Sequence, residues 1–161
     1  MRKILFRGRD HAGKWHKGSL IVVRVEKPTH KDVTPYEAYI IRGVHPDGEE
    51  NLVDHKTVGQ LVSPATEGHP EIWEGDIIEI CGNDPTLAQR TVVQWYKPQA
   101  GFVVLLTDPS NRDMEYYPLS LVLLGLEGED AVAMKVIGNI HDNPELITKP
   151  FAQPHEKAQT N

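Results

Sequence analysis

Cysteine is nearly missing from this chain of 161 residues, with Cys81 the single example. One thiol forms no internal disulfide and no cysteine-based zinc site, and it fits a reducing cytosol. Long apolar runs are missing too. No stretch approaches the ~20 apolar residues of a membrane helix, so no membrane partner is expected. The opening Met1-Arg2-Lys3-Ile4-Leu5-Phe6-Arg7 is basic but leads into no apolar core segment, so no secretory signal is expected. Basic charge is in short supply: 17 Lys and Arg stand against 23 Asp and Glu, a net charge of −6. That balance speaks against a protein that grips phosphate backbones, which presents a basic face. Helical periodicity is also lacking, since no stretch keeps it beyond about two turns.

What remains is strand after strand. Ile4–Gly8 and Trp15–Val25 read as strands around an Asp10–Lys14 turn, and the second ends in a β-branched run. Glu26–Pro35 carries two prolines and reads as a loop, with Tyr36–Val44 a further strand and His45–Glu50 a turn cluster. A turn near Asp54 leads to a strand from Thr57, and Ser63–Pro70 is a loop. In Ile72–Cys81 a tight Glu74-Gly75-Asp76 turn precedes an apolar strand. Glycine there takes positive φ and aspartate bonds the turn backbone. After a loop over Gly82–Gln89, Arg90–Tyr96 and Gly101–Leu106 read as a hairpin, and Asp108–Asp113 as a turn. Met114–Leu124 holds a strand to Pro118 and then a strand or one helical turn. Ala131–Ile140 is a strand closing in a Gly138-Asn139 bend. Asn143 and Pro144 have the chemistry of an N-cap and a first helical position. Turn signals every ~8–12 residues predict a mainly β fold with minor α. The expected form is a small barrel-like domain of short antiparallel strands over residues 1–148, with a polar tail over 149–161.

No catalytic pattern stands out. The eight histidines include no close ligand pair. A metal site drawn from separate strands, such as His55, His69 and Asp76, is one alternative, since catalytic zinc needs three protein ligands. Glu74 and Asp76, with Glu71 nearby, form a carboxylate pair of the type hydrolases use. The plainer reading has Asp76 capping its turn and Glu74 facing water. No serine sits in a nucleophile elbow, and Cys81 at a strand end reads as a small buried hydrophobe. No cofactor is expected. Arg2, Lys3, Arg7, Arg9, Lys14 and Lys17 make the N-terminus locally positive, which is read first as a solvated strand edge. Together with Trp15, Trp73, Trp95, Tyr96, Tyr116 and Tyr117, that patch keeps a nucleic-acid-associated regulator as an alternative.

Four blocks carry a resemblance. Arg2–Gly8 with Gly13–Leu20 is similar to an "ILFRGK…G.WVYGSL" opening, and Val53–Gln60 to "VDPETVGQ". Ile72–Ile78 is similar to "IYEGDIV", and Val136–Ile147 to "VIGNIYENPELL". In their order they resemble the YopX family of phage and prophage proteins. The motif positions are Gly59, Gln60, Trp73, Glu74, Gly75, Asp76, Gly138, Asn139, Asn143, Pro144 and Glu145. Leu61–His69 departs from the family's "YTGLKDKNG"-like stretch, so a partner contact made there in the family would differ here. The resemblance implies a mostly β domain of phage origin and structural roles for these residues, and no reaction. The expected function is a non-enzymatic binding or assembly module in the bacterial cytoplasm. It is expected to form a homo-oligomer, with a phage or host protein as a further partner.

Overall fold

The computed structural model describes residues 4–25, 36–43, 48–67, 69–81, 88–107, 114–125 and 133–147. The loops expected over 26–35, 82–87 and 108–113, the turn residues 44–47 and the tail over 149–161 lie outside them. Among the described residues twelve strands are present, all paired antiparallel. They are β1 Phe6–Arg9, β2 Trp15–Val25, β3 Tyr36–Gly43, β4 Glu50–Val53, β5 Gly59–Ser63, β6 Ile72–Trp73, β7 Asp76–Cys81, β8 Gln89–Val92, β9 Gln94–Tyr96, β10 Gly101–Thr107, β11 Met114–Pro118 and β12 Ala133–Asn139. A short α-helix, α1, covers Leu119–Leu124. No helix among the described residues is long and apolar enough to cross a membrane.

The strands form a six-stranded sheet in the order β4-β3-β2-β1-β5-β6 and two three-stranded sheets, β11-β10-β9 and β12-β7-β8. The mainly β, antiparallel character follows the sequence pattern. None of these sheets closes into a barrel among the described residues: β4 and β6 end the large sheet without pairing each other.

The main core lies where the two smaller sheets and α1 meet the β5-β6 end of the large sheet. Ile72, Ile78, Ile80, Val93, Val104 and Leu119 pack there, with Phe102, Val122 and Met134 against them. Each fully buried aliphatic side chain of this type contributes ~1.5–3 kcal/mol by leaving water. The alternation in β7 has a limit: Ile77 and Ile78 are both fully buried, so this strand is covered on both faces.

Three expectations need correction. Arg90–Tyr96 is not one hairpin strand. It breaks at Val93, whose N–H donates to the Asp76 carbonyl (2.9 Å) while its carbonyl accepts from Gly75 N–H (2.8 Å). β8 therefore pairs β7, and β9 turns off to pair β10. Glu50, read as the last residue of the His45–Glu50 turn cluster, opens a strand, Glu50–Val53, on the edge of the large sheet, held by β3. Cys81 is half-buried rather than in the core. Met114–Leu124 resolves as strand then helix, because Pro118 has no N–H to extend a ladder yet suits a helix start.

Candidate functional site

The motif blocks converge on a buried ion pair. Arg7 sits in β1 between Lys17 of β2 and Gly59 of β5. Its Nη2 donates to Asp76 Oδ1 at 2.6 Å and to the Glu74 carbonyl at 3.1 Å. The side chains are 11% and 3% exposed. The guanidinium carbon lies 5.0 Å from the Trp15 ring centre and 5.7 Å from that of Trp73, within cation–π range of both. Arg7 Nε is buried with no protein acceptor. Burial pushes the Asp76 carboxyl above its ordinary range, against the pull of Arg7.

The turn that presents Asp76 is fastened on three sides. Gly75 has φ +83°, a conformation glycine adopts without steric penalty. Asp76 Oδ2 accepts the Trp73 N–H at 2.8 Å, the capping role expected of it. Glu74 N–H donates to the Gln60 carbonyl (2.9 Å), and Ile140 N–H donates to the Gly75 carbonyl (3.0 Å). Glu74 itself does not simply face water, since its Oε2 accepts the Gln60 N–H at 3.4 Å. A Cβ on Gly59 would stand 2.6 Å from the Glu74 carbonyl oxygen, so only glycine lets β5 and this turn approach.

A second cluster adjoins the first at the end of β12. Ile137 is the extra residue of a bulge, so Gly138 pairs Ile77. The expected Gly138-Asn139 bend is thus a bulged strand end. Asn139 Oδ1 accepts from His141 N–H (2.9 Å) and Asp142 N–H (3.0 Å), shaping the turn. Asp142 receives Asn139 Nδ2 (2.7 Å), Trp15 Nε1 (2.8 Å) and Arg9 Nη1 (2.8 Å). These donors, Asn139 first, hold its carboxyl below the usual range. Asn143 heads the turn Pro144–Leu146 without a side-chain cap, a correction to its expected role. Its Oδ1 faces Asn139 N–H at 3.4 Å instead, and a Cβ on Gly138 would run into it. Pro144 holds the first position as expected, and Glu145 is exposed in the same turn.

These contacts decide what the cluster does chemically. A shallow hollow of about 390 Å³ is lined by Arg7, Lys17, Trp73, Asp76 and Asn139, among others. Its charges are already matched, because Lys17 binds Glu71 at 2.6 Å while Arg7 holds Asp76. The positive N-terminus is therefore no solvated edge at Arg7, and Arg9 is likewise held by Asp142. Trp73 is 2% exposed and offers no stacking face. Among the described residues no three His, Cys, Asp or Glu side chains gather as a metal requires. His55 lies against Tyr39, while His69 Nδ1 meets its neighbour's carbonyl at Pro70 (2.8 Å). Gly59, Gln60, Trp73, Glu74, Gly75 and Asp76 are joined to one another, and Gly138, Asn139 and Asn143 to one another, by the hydrogen bonds and close approaches above. Sequence reasoning missed Arg7, Trp15 and Asp142 as members of these clusters. The signal lay in the opening block, where Arg7 sits mid-strand and Trp15 follows, and in the last block, where the Asn139-x-x-Asp142 spacing suits an Asx turn.

One apolar surface lies on the β2-β3-β4 wing. Ile21, Ile40 and Leu52 stand directly opposite one another across the three strands. Val23 follows Ile21 on the same face. Leu52 is 51% and Val23 42% exposed. The other face carries Ile41 and Val53, which are buried, and Val22, which is 49% exposed.

The fold and this geometry define an antiparallel β protein with the buried Arg7–Asp76 ion pair and an apolar row on the β2-β3-β4 wing. The chain belongs to the YopX protein family, whose model matches residues 13–148. The Arg2–Gly8 block precedes the matched range, although β1 is central to the large sheet. No curated protein matches the chain.

Proposed function

We propose that this protein is a non-enzymatic binding or assembly module that works by self-association, in the bacterial cytoplasm as part of phage or prophage biology. One observation carries the reading: Ile21, Ile40 and Leu52 form an apolar row across the wing with Val23 beside it, Leu52 and Val23 being exposed and Ile21 and Ile40 half-buried. Contiguous exposed apolar surface of this kind marks interaction sites. The pairing of Arg7, Arg9 and Lys17 with carboxylates supports a protein partner over nucleic acid, because backbone binding needs free cations. The phage setting rests on the family's character. The test is the solution mass by size-exclusion chromatography with light scattering across a dilution series. A multiple of 18.1 kDa that persists on dilution is expected, and a monomer throughout overturns the reading.

A further inference from the structure

β2 is longer than its neighbour on one side. β1 pairs only Trp15–Gly18, whereas β3 pairs the opposite edge from Gly18 through Val25. Among the described residues no strand pairs the other edge of Ser19–Val25. A free edge offers unpaired N–H and C=O groups, and native sheets normally guard it with lysine, proline or a bulge. This edge has no lysine, proline or bulge, and its one charge is Arg24 near the end. Ser19-Leu20-Ile21-Val22-Val23 is uncharged and free of proline, and its register with β3 is unbroken.

We propose that this edge pairs antiparallel with the same edge of a second copy, about a two-fold axis through Val22. The proposal rests on the self-association reading and adds its geometry. Val22 is the midpoint of the free segment Ser19–Val25, so pairing about it uses the whole edge. It sets Val22 against Val22, Ile21 against Val23, and Leu20 against Arg24. The two Arg24 side chains then lie toward opposite ends of the ladder, and no like charges oppose each other. A two-fold axis perpendicular to the sheet keeps each face on its own side. The apolar row Leu52–Ile40–Ile21 therefore continues onto Val23 of the second copy. One sheet runs β4-β3-β2 into β2-β3-β4, and neither β2 edge remains open.

Cysteine crosslinking tests this in a Cys81→Ser background. Val22→Cys places two thiols across the axis, where antiparallel Cα separations of ~4.5–5.5 Å lie within disulfide reach. Ser19→Cys places its two thiols at opposite ends of the ladder, ~20 Å apart at ~3.4 Å per residue. Mild oxidation is expected to crosslink most of Val22→Cys and less than about a tenth of Ser19→Cys, read on non-reducing gels. Amide exchange on the unsubstituted chain gives an independent readout: Ser19–Val25 should exchange more slowly in concentrated than in dilute protein. A multimeric mass with equal crosslinking of both variants, or with exchange at Ser19–Val25 independent of concentration, overturns the edge pairing and leaves self-association standing. A monomer throughout overturns both.

Discussion

Replacing Arg7 by methionine keeps apolar bulk between Trp15 and Trp73 and removes the charge. Asp76, its side chain 3% exposed, is then a buried carboxylate whose remaining donor is the Trp73 N–H. Removing one member of a buried pair costs ~3–5 kcal/mol, because the other charge is left uncompensated. At ~2–4 °C per kcal/mol for a chain of this size, the melting temperature should fall by roughly 6–20 °C at neutral pH. The pH dependence has a definite sign. Burial already raises the Asp76 carboxyl, and loss of Arg7 raises it further. A raised folded-state value gives stability that is present below the unfolded value and lost as pH rises through the folded one. The Arg7→Met defect should therefore shrink as pH is lowered toward about 4. Arg7→Met with Asp76→Asn buries neither charge and keeps an oxygen for the Trp73 N–H. It should recover to within about 1–2 kcal/mol of the parent. Urea unfolding followed by circular dichroism measures all four corners of the cycle. A loss below about 1 kcal/mol for Arg7→Met, or a double variant no better than Arg7→Met alone, refutes the reasoning.

Two further outcomes follow from the same region. His141 is held below its ordinary value of 6.5, first by burial and then by Arg7 and Arg9. A depressed folded-state value gives stability present above the unfolded value and lost as pH falls through the folded one, so His141→Gln should flatten the decline in melting temperature below about pH 6.5. Parallel melting curves against pH for the two proteins would count against this. Gly59→Ala drives a Cβ toward the Glu74 carbonyl and should lose ~1–3 kcal/mol in denaturant midpoints. Gly101→Ala, whose Cβ comes no nearer than 3.6 Å to the Gln99 carbonyl, should change stability by less than about 0.5 kcal/mol. Equal losses at the two positions would refute the packing argument.

Local chemistry made much of this protein readable from its residues. Trp15–Val25 spans the strand its β-branched run predicts, since that preference belongs to the side chains themselves. Gly75 takes positive φ and Asp76 caps the turn, because both roles need only near neighbours. Pro118 marks the change from strand to helix for the same reason. The mainly β class and the family blocks were likewise legible. Tertiary structure alone decided the rest. Val93 breaks an apolar run that looks continuous, because the distant Gly75-Asp76 turn takes its backbone hydrogen bonds. Arg7, which reads as a surface cation, is buried because Asp76, Trp15 and Trp73 come to it from three other strands. The open edge of β2 depends on how far β1 extends beside it, and pairing length is a property of two strands together. Residue patterns specify which segments become strands. Which strands meet, and which edge is left without a neighbour, is settled only when distant segments compete for the same hydrogen bonds and the same buried space.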